Sequence, residues 1–306
     1  MSTAPASPDG AATSGAAPFT PCLNPATLSG VALPQFLALA AAAGFSAVEL
    51  SIQQALAHGL DRVGDLLAEH RLSVAAASGI LPAGPVLPAP LLTGPDAYQA
   101  CLAGLGERLA GFAALGCPVA TTVLNPRSDL PQAQALEVAL HRIGVLADAA
   151  AEHGVLLAVE AVSVQVGLPP DLDGPYPVAS TLPQLTDLLA QAGRGNVVAL
   201  VDSFHWAVAG AEPGHITGLG AGTVGHVQIA DTPAAGPAWS DAARRFPGDG
   251  ALPWPVLAQA LTDVDYIGAV SVELFNPDLR ALPEQEIARR SHQAATGCWH
   301  IAEVPR

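Results

Sequence analysis

Apolar residues recur along this chain in two rhythms, short unbroken or alternating runs and longer stripes of period three to four, and the two alternate from Phe19 almost to the C-terminus. Residues 19–23 form the first run. A helical stripe follows, with Leu33, Phe36, Leu37 and Ala40 at i, i+3, i+4 and i+7 before Gly44. Residues 47–52 read as a second strand alternating around Glu49, residues 60–70 as a helix and 72–77 as a third strand. The Pro/Gly-rich stretch 79–95 is too long for a tight turn and reads as a loop covering one end of the fold.

The alternation continues with a helix marked by Leu102, Leu105, Leu109 and Phe112, a strand at 118–124, and a helix marked by Leu136, Leu140, Ile143 and Ala147 that stops before Gly154. The fifth strand is 155–160. After a loop at 163–180, Thr181 stands as N-cap of a helix with Pro183 in its first turn and Leu185 and Leu189 on its buried face. The sixth strand starts at Val197 and ends at Asp202, the seventh is 223–230, and a long loop runs on through RRFPGDG. A helix through Val256, Leu257, Ala260 and Leu261, a strand at 268–274 and a last helix from Pro283 towards Cys298 complete the series. Eight strand and helix pairs predict the α/β class and a single closed (β/α)8 TIM barrel over residues 19–306. An open doubly wound sheet would carry a Gly-rich phosphate turn, and no G-x-G-x-x-G follows the first strand.

Four of the apolar runs end in an oxygen-bearing side chain: Glu160, Asp202, Gln228 and Glu273. A parallel barrel places its chemistry at these strand ends. Acids converging there repel one another unless a cation neutralises them, so the pattern predicts a divalent metal. His205, three residues after Asp202, points to function on the same grounds, while Glu49 and His226 read equally well as structural. Taken alone, Arg244 and Arg245 read as rim ion pairs in an acidic chain.

Composition trims the alternatives. Half of the 306 residues are hydrophobic and 13% are charged, enough for a large core, and no apolar run reaches the roughly 18 uncharged residues of a membrane span. Residues 1–18, rich in Ala, Ser, Pro and Gly, read as a disordered tail and not as a signal peptide. The 12 basic against 27 acidic residues, net −15, offer no footprint for nucleic acid or an anionic membrane. All the basic residues are arginines; without lysine there is no Schiff-base aldolase, no pyridoxal-phosphate enzyme and no P-loop hydrolase. Four scattered cysteines without C-x-x-C spacing read as free thiols of a cytoplasmic protein.

The segments VEL at Glu49, AVE at Glu160, LVDSFH at Asp202 and His205, HVQIAD around Gln228, RRFPGDG from Arg244 and SVELFNP at Glu273 together resemble the xylose-isomerase-like barrel superfamily of sugar isomerases and epimerases. Within it, CLNPATL, DSFHW, the loop from Thr232 to PGDG and VELFNP are most similar to the inosose isomerases of inositol catabolism. The resemblance implies Glu160, Asp202, Gln228 and Glu273 as metal ligands, with His205 and Arg244 facing the substrate and Glu49 as a further substrate-side candidate. Gln at position 228 is a departure, since inosose and tagatose epimerase-type relatives carry His there and hydroxypyruvate isomerases carry Gln.

The implied chemistry is proton transfer on a keto-polyol through an enediolate, with Glu160 and Glu273 as base and acid. Mn²⁺ is the favoured ion, with Mg²⁺, Co²⁺ or Zn²⁺ as alternatives. The missing lysine argues against the hydride shift that the resemblance associates with true xylose isomerases. The expected partner is a small sugar or keto-inositol, with a homo-oligomer compatible. Hydroxypyruvate isomerase, ketose 3-epimerase, an inosose dehydratase-type lyase and a non-catalytic sugar-binding barrel remain open.

Overall fold

The structure, a computed structural model, describes residues 19–82, 90–233 and 239–300. The expected tail at 1–18 and the part of the expected covering loop at 83–89, Gly84 included, lie outside the described residues. Eight parallel strands close into a barrel: β1 (Thr20–Leu23), β2 (Ala47–Ser51), β3 (Ser73–Ser78), β4 (Val119–Leu124), β5 (Leu156–Ala161), β6 (Val197–Asp202), β7 (Val224–Ile229) and β8 (Ala269–Val272). Each pairs with its neighbours in chain order, and β1 closes the ring against β8. The expected (β/α)8 architecture is the one observed.

Eleven α-helices are seen among the described residues, and they pack outside this ring: α1 (Leu33–Ala43), α2 (Ile52–His58), α3 (Leu60–His70), α4 (Pro95–Leu102), α5 (Leu105–Ala114), α6 (Gln132–Ala151), α7 (Leu182–Ala192), α8 (Ser203–Val208), α9 (Pro213–Thr217), α10 (Trp254–Asp263) and α11 (Glu284–Gly297). Several differ from the sequence expectation, among them α8 and α9, which fill the stretch between β6 and β7 where no helix was expected. Ile52 opens α2 instead of ending the second strand, because Ser51 accepts a hydrogen bond from the Gln54 N–H at 3.4 Å and caps a seven-residue helix too short to show a period. Leu102 closes α4 and does not share a helix with Leu105, since Gly104 between them takes φ 71°. Pro95 starts α4 instead of ending a loop. Thr181 is the N-cap of α7, yet the capping acceptor is Gln184 Oε1, which takes the Ser180 N–H at 2.8 Å and the Thr181 hydroxyl at 3.3 Å.

Inside the ring, Ala76, Val119, Ala158, Val198 and Leu200 form a small apolar cluster of their own. Gly225 belongs to the same layer, where a Cβ would stand 2.3 Å from Val198 Cγ2. This plug fills the lower barrel and leaves the inward positions nearer the strand C-termini to polar side chains. A two-stranded antiparallel ribbon, Arg127–Ser128 with Tyr176–Pro177, ties the loop after β4 to the loop after β5. No helix of the described residues is long and apolar enough to cross a membrane. Cys22, Cys117 and Cys298 are buried free thiols and Cys101 is a half-buried one.

Candidate active site

Side chains alternate across each strand, so the inward set follows from register. Asp202 pairs with Gln228, Leu200 with His226 and Ser271 with Gln228, and beyond the end of β8 the Glu273 N–H still donates to Ile229 O at 3.1 Å. Glu49, Glu160, His205, Gln228, Arg244 and Glu273 consequently line one cavity of 710 Å³ at the C-terminal mouth. Asp202 lies just behind Arg244, almost fully buried.

Arg244 sits at the centre of the acids. Its Nη1 donates to Asp202 Oδ2 at 2.7 Å and to Glu273 Oε2 at 3.2 Å, its Nε donates to Asp241 at 2.9 Å, and its Nη2 lies 2.8 Å from the same Asp241 oxygen. The guanidinium is sandwiched between the Phe204 and Phe275 rings, 4.7 and 5.1 Å from their centroids. Asp202 caps α8 with its other oxygen, which accepts from the Phe204 N–H at 2.6 Å. That helix presents His205, whose Nδ1 accepts from the Ser163 N–H at 3.4 Å, while its Nε2 lies 3.8 Å from Glu160 Oε1.

The loop that carries Arg244 back to the mouth is held by Asp231 at the end of β7. Its buried carboxylate accepts from the Thr232, Gly248 and Leu252 N–H groups and from Trp254 Nε1, all within 2.9 Å. Gly250 must be glycine here, because a Cβ would stand 2.1 Å from Thr232 O. Asp231→Ala leaves these donors without a partner, and the expected loss of stability is about 3 kcal/mol or more. Urea unfolding checks this, and an unchanged midpoint would show that the clamp is dispensable.

A second buried group lies deeper. Glu49 Oε1 is 2.8 Å from His226 Nε2, and Gln228 Nε2 donates to both Glu49 oxygens at 3.3 Å and to Glu273 Oε1 at 3.2 Å. With the amide nitrogen so committed, Gln228 Oε1 is buried without a hydrogen-bond partner. Asn24, at the end of β1, donates to Glu273 Oε1 at 3.0 Å. Every sequence-predicted site residue is thus in one connected cluster. Asn24 and Asp241 belong to it and were not foreseen: Asn24 ends its strand as the other candidates do, whereas nothing in the sequence marks Asp241 as a partner of Arg244.

Burial would raise every acid here, and the neighbours decide the outcome. At Asp202 burial is overcome by Arg244 and His205, which hold its pKa below the usual range. At Glu49 the His226 imidazole and the hydrogen bonds from Gln228 do the same. At Glu160 burial and the Asp202 charge outweigh the pull of Arg244 and push it up to about 8. Glu273 is also raised, by burial and by Asp202 and Glu160 against the pull of Arg244. Burial lowers His205 and favours the neutral ring.

These residues fit a divalent cation. Glu160, Asp202 and His205 offer ligand atoms within 4.8 Å of one another. The orphaned Gln228 oxygen is the donor a hard cation would satisfy, and Arg244 alone does not bring the two raised acids back to the ordinary carboxylate range.

Three similarities set the chain among known proteins. It is 27% identical to the 2-oxo-tetronate isomerase of Pectobacterium atrosepticum over 60% of this chain and 64% of that protein. It is 28% identical to the inosose isomerase of Bacillus licheniformis over 48% of this chain and 50% of that protein. Both matches span less than two thirds of the relative's own length. The crystal structure of the IOLI protein with a bound zinc atom superposes with TM-score 0.77 and 20% identity, covering 92% of this chain and 98% of that one. A model of the xylose isomerase-like TIM barrel family matches residues 37–297, and the chain, closed by eight parallel strands with its acids gathered at their C-terminal ends, belongs to that family.

Proposed function

We propose that this protein is a divalent-metal-dependent isomerase or epimerase that moves a proton between adjacent carbons of a hydroxy-carbonyl compound through an enediolate. The observation that carries the reading is the pair of buried glutamates with raised pKa, Glu160 and Glu273, reaching one cavity from strands three places apart. Glu160, Asp202, Gln228 and Glu273 would hold the cation. When bound, it supplies positive charge that polarises a carbonyl and favours ionised Glu160 and Glu273.

The chain's own groups do the rest. A Glu160 carboxylate oxygen takes the proton from the carbon beside the carbonyl, and Glu273, approaching from another side, returns one to the neighbouring carbon or to the opposite face. His205, neutral, contacts Arg244 Nη2 through Nε2 at 3.3 Å and the Ser163 N–H through Nδ1 at 3.4 Å, and so is held at the cavity wall beside the substrate. Asn24 and Gln228 orient Glu273 through its Oε1. The chain has no lysine to form an imine, so proton transfer between oxygen bases and carbon is the chemistry its side chains support.

Within this reading, 2-keto-myo-inositol heads the substrate panel. It is supported by the motifs CLNPATL, DSFHW, RRFPGDG and VELFNP and by the likeness to the Bacillus licheniformis protein. Hydroxypyruvate follows because of Gln228, and the ketoses psicose and tagatose come after it. Mn²⁺ is the first ion to supply, then Mg²⁺, Co²⁺ and Zn²⁺; the zinc atom bound in the IOLI protein structure supports a divalent ion in this fold.

The test is incubation in D₂O after chelation, with and without added Mn²⁺, reading deuterium beside the carbonyl by NMR. Exchange that requires the ion is expected. Loss of water from the substrate would make the protein a lyase. Binding without any exchange would make it a non-catalytic sugar-binding barrel.

A further inference from the structure

We propose that the substrate of this site carries its oxygens at one end only, as an α-hydroxy-carbonyl head on an alkyl or aryl remainder, and is not a fully hydroxylated sugar or cyclitol; this rests on the proton-transfer reading above. The cavity has two unlike halves. Glu160, His205, Gln228, Arg244 and Glu273 crowd one of them. Val123, Val162, Val166, Leu168 and Leu172, from the end of β4 and the loop after β5, face it with carbon. The polar side chains of that second half are Ser78, Thr121 and Thr122 from β3 and β4, and Asp171 in the loop after β5.

This wall is built into the fold. Asn125 Nδ2 donates to Asp171 O at 2.9 Å, the Leu172 N–H donates to Pro169 O at 3.0 Å, and Arg127 Nη2 donates to Pro175 O at 3.0 Å beside the ribbon. Gly174 lies so close to the other ribbon segment that a Cβ would stand 2.5 Å from the Ser128 carbonyl carbon.

A polyol carries a hydroxyl on nearly every carbon, and those that meet Val123, Val162, Val166, Leu168 and Leu172 find no hydrogen-bond partner on these side chains. Each hydroxyl moved from water onto the carbon wall without a partner weakens binding by about tenfold or more, whereas an alkyl or aryl group strengthens it there. The volume points the same way. At 710 Å³ the cavity is in the range that encloses drug-sized ligands, more than a six-carbon ring requires.

The experiment compares solvent deuterium exchange by the Mn²⁺-loaded protein on 1,3-dihydroxyhexan-2-one, which is psicose without its last three hydroxyls, with exchange on psicose, tagatose and 2-keto-myo-inositol. The expected result is a kcat/KM for the deoxygenated ketone at least about tenfold above the best polyol, equivalent to ~1.4 kcal/mol. A smaller ratio overturns the inference and leaves proton transfer standing. Exchange with none of these compounds overturns both. Leu172→Asn adds a near-isosteric amide to the wall at a half-buried loop position and is expected to cut the ratio by about threefold or more. An unchanged ratio would overturn the wall as its source.

Discussion

Glu160→Gln and Glu273→Gln are each expected to retain the fold and to lose solvent deuterium exchange by about 10²-fold or more, the range that a positioned general acid or base supplies. Neither substitution changes the side chain's shape, so packing in the mouth is preserved. What disappears is the atom that accepts the proton. At position 273 a second effect adds to the first: Oε1 accepts from Asn24 and Gln228 and Oε2 accepts from Arg244, and an amide must turn its NH₂ against one of these donors. Thermal unfolding and cation titration alongside the exchange assay separate the two effects. If either variant exchanges deuterium at the parental rate, that glutamate is not a proton carrier.

Asp202→Asn is expected to weaken divalent cation binding by well over about tenfold, since changes to groups that merely support a ligand already cost that much. The amide oxygen can still cap α8 through the Phe204 N–H, so the loss is not a loss of the helix. Isothermal titration with Mn²⁺ measures it, and undiminished affinity would remove Asp202 from the ligand set. The same site makes the cation-free protein sensitive to pH. Glu160 titrates near 8 in the folded chain against an ordinary 4.5, so the unfolded chain gives up its proton first and stability falls as pH rises between those values.

His205, whose pKa burial lowers from 6.5, opposes this trend up to its ordinary value, which leaves pH 6.5 to 8 as the clearest window. Asp202 and Glu49, both held low, have already delivered their stabilisation below it. Chelated protein should therefore melt at a lower temperature at pH 8 than at pH 6.5, and Mn²⁺ should narrow the gap. A flat profile in the chelated sample would mean that Glu160 is not perturbed as its surroundings imply.

The barrel was legible because its strands are short apolar runs separated by amphipathic helices, and each run keeps its character whatever it packs against. The candidate site was legible for a related reason. A polar residue at the end of an apolar run can only face the mouth, and Glu160, Asp202, Gln228 and Glu273 all stand there. Asn24 obeys the same rule and could have been found by it. The remainder depends on short local turns and caps that leave no periodic trace. Asp241 meets Arg244 across one tight turn three residues long, and α2 exists because Ser51 caps it. The split between α4 and α5 rested on one glycine that a stripe of leucines concealed.

Arg244 stands among acids that would otherwise repel one another, braced by two aromatic rings and satisfied on Nε, Nη1 and Nη2. Small metal-binding domains whose ligands have no such counter-charge stay unfolded until the ion arrives. Here the Arg244 guanidinium already neutralises Asp202 and leans on Glu273, so the barrel has its counter-charge before any ion arrives. An ion held by the proposed ligands would be a late addition to a finished scaffold, and chelation followed by resupply would not pass through the unfolded state.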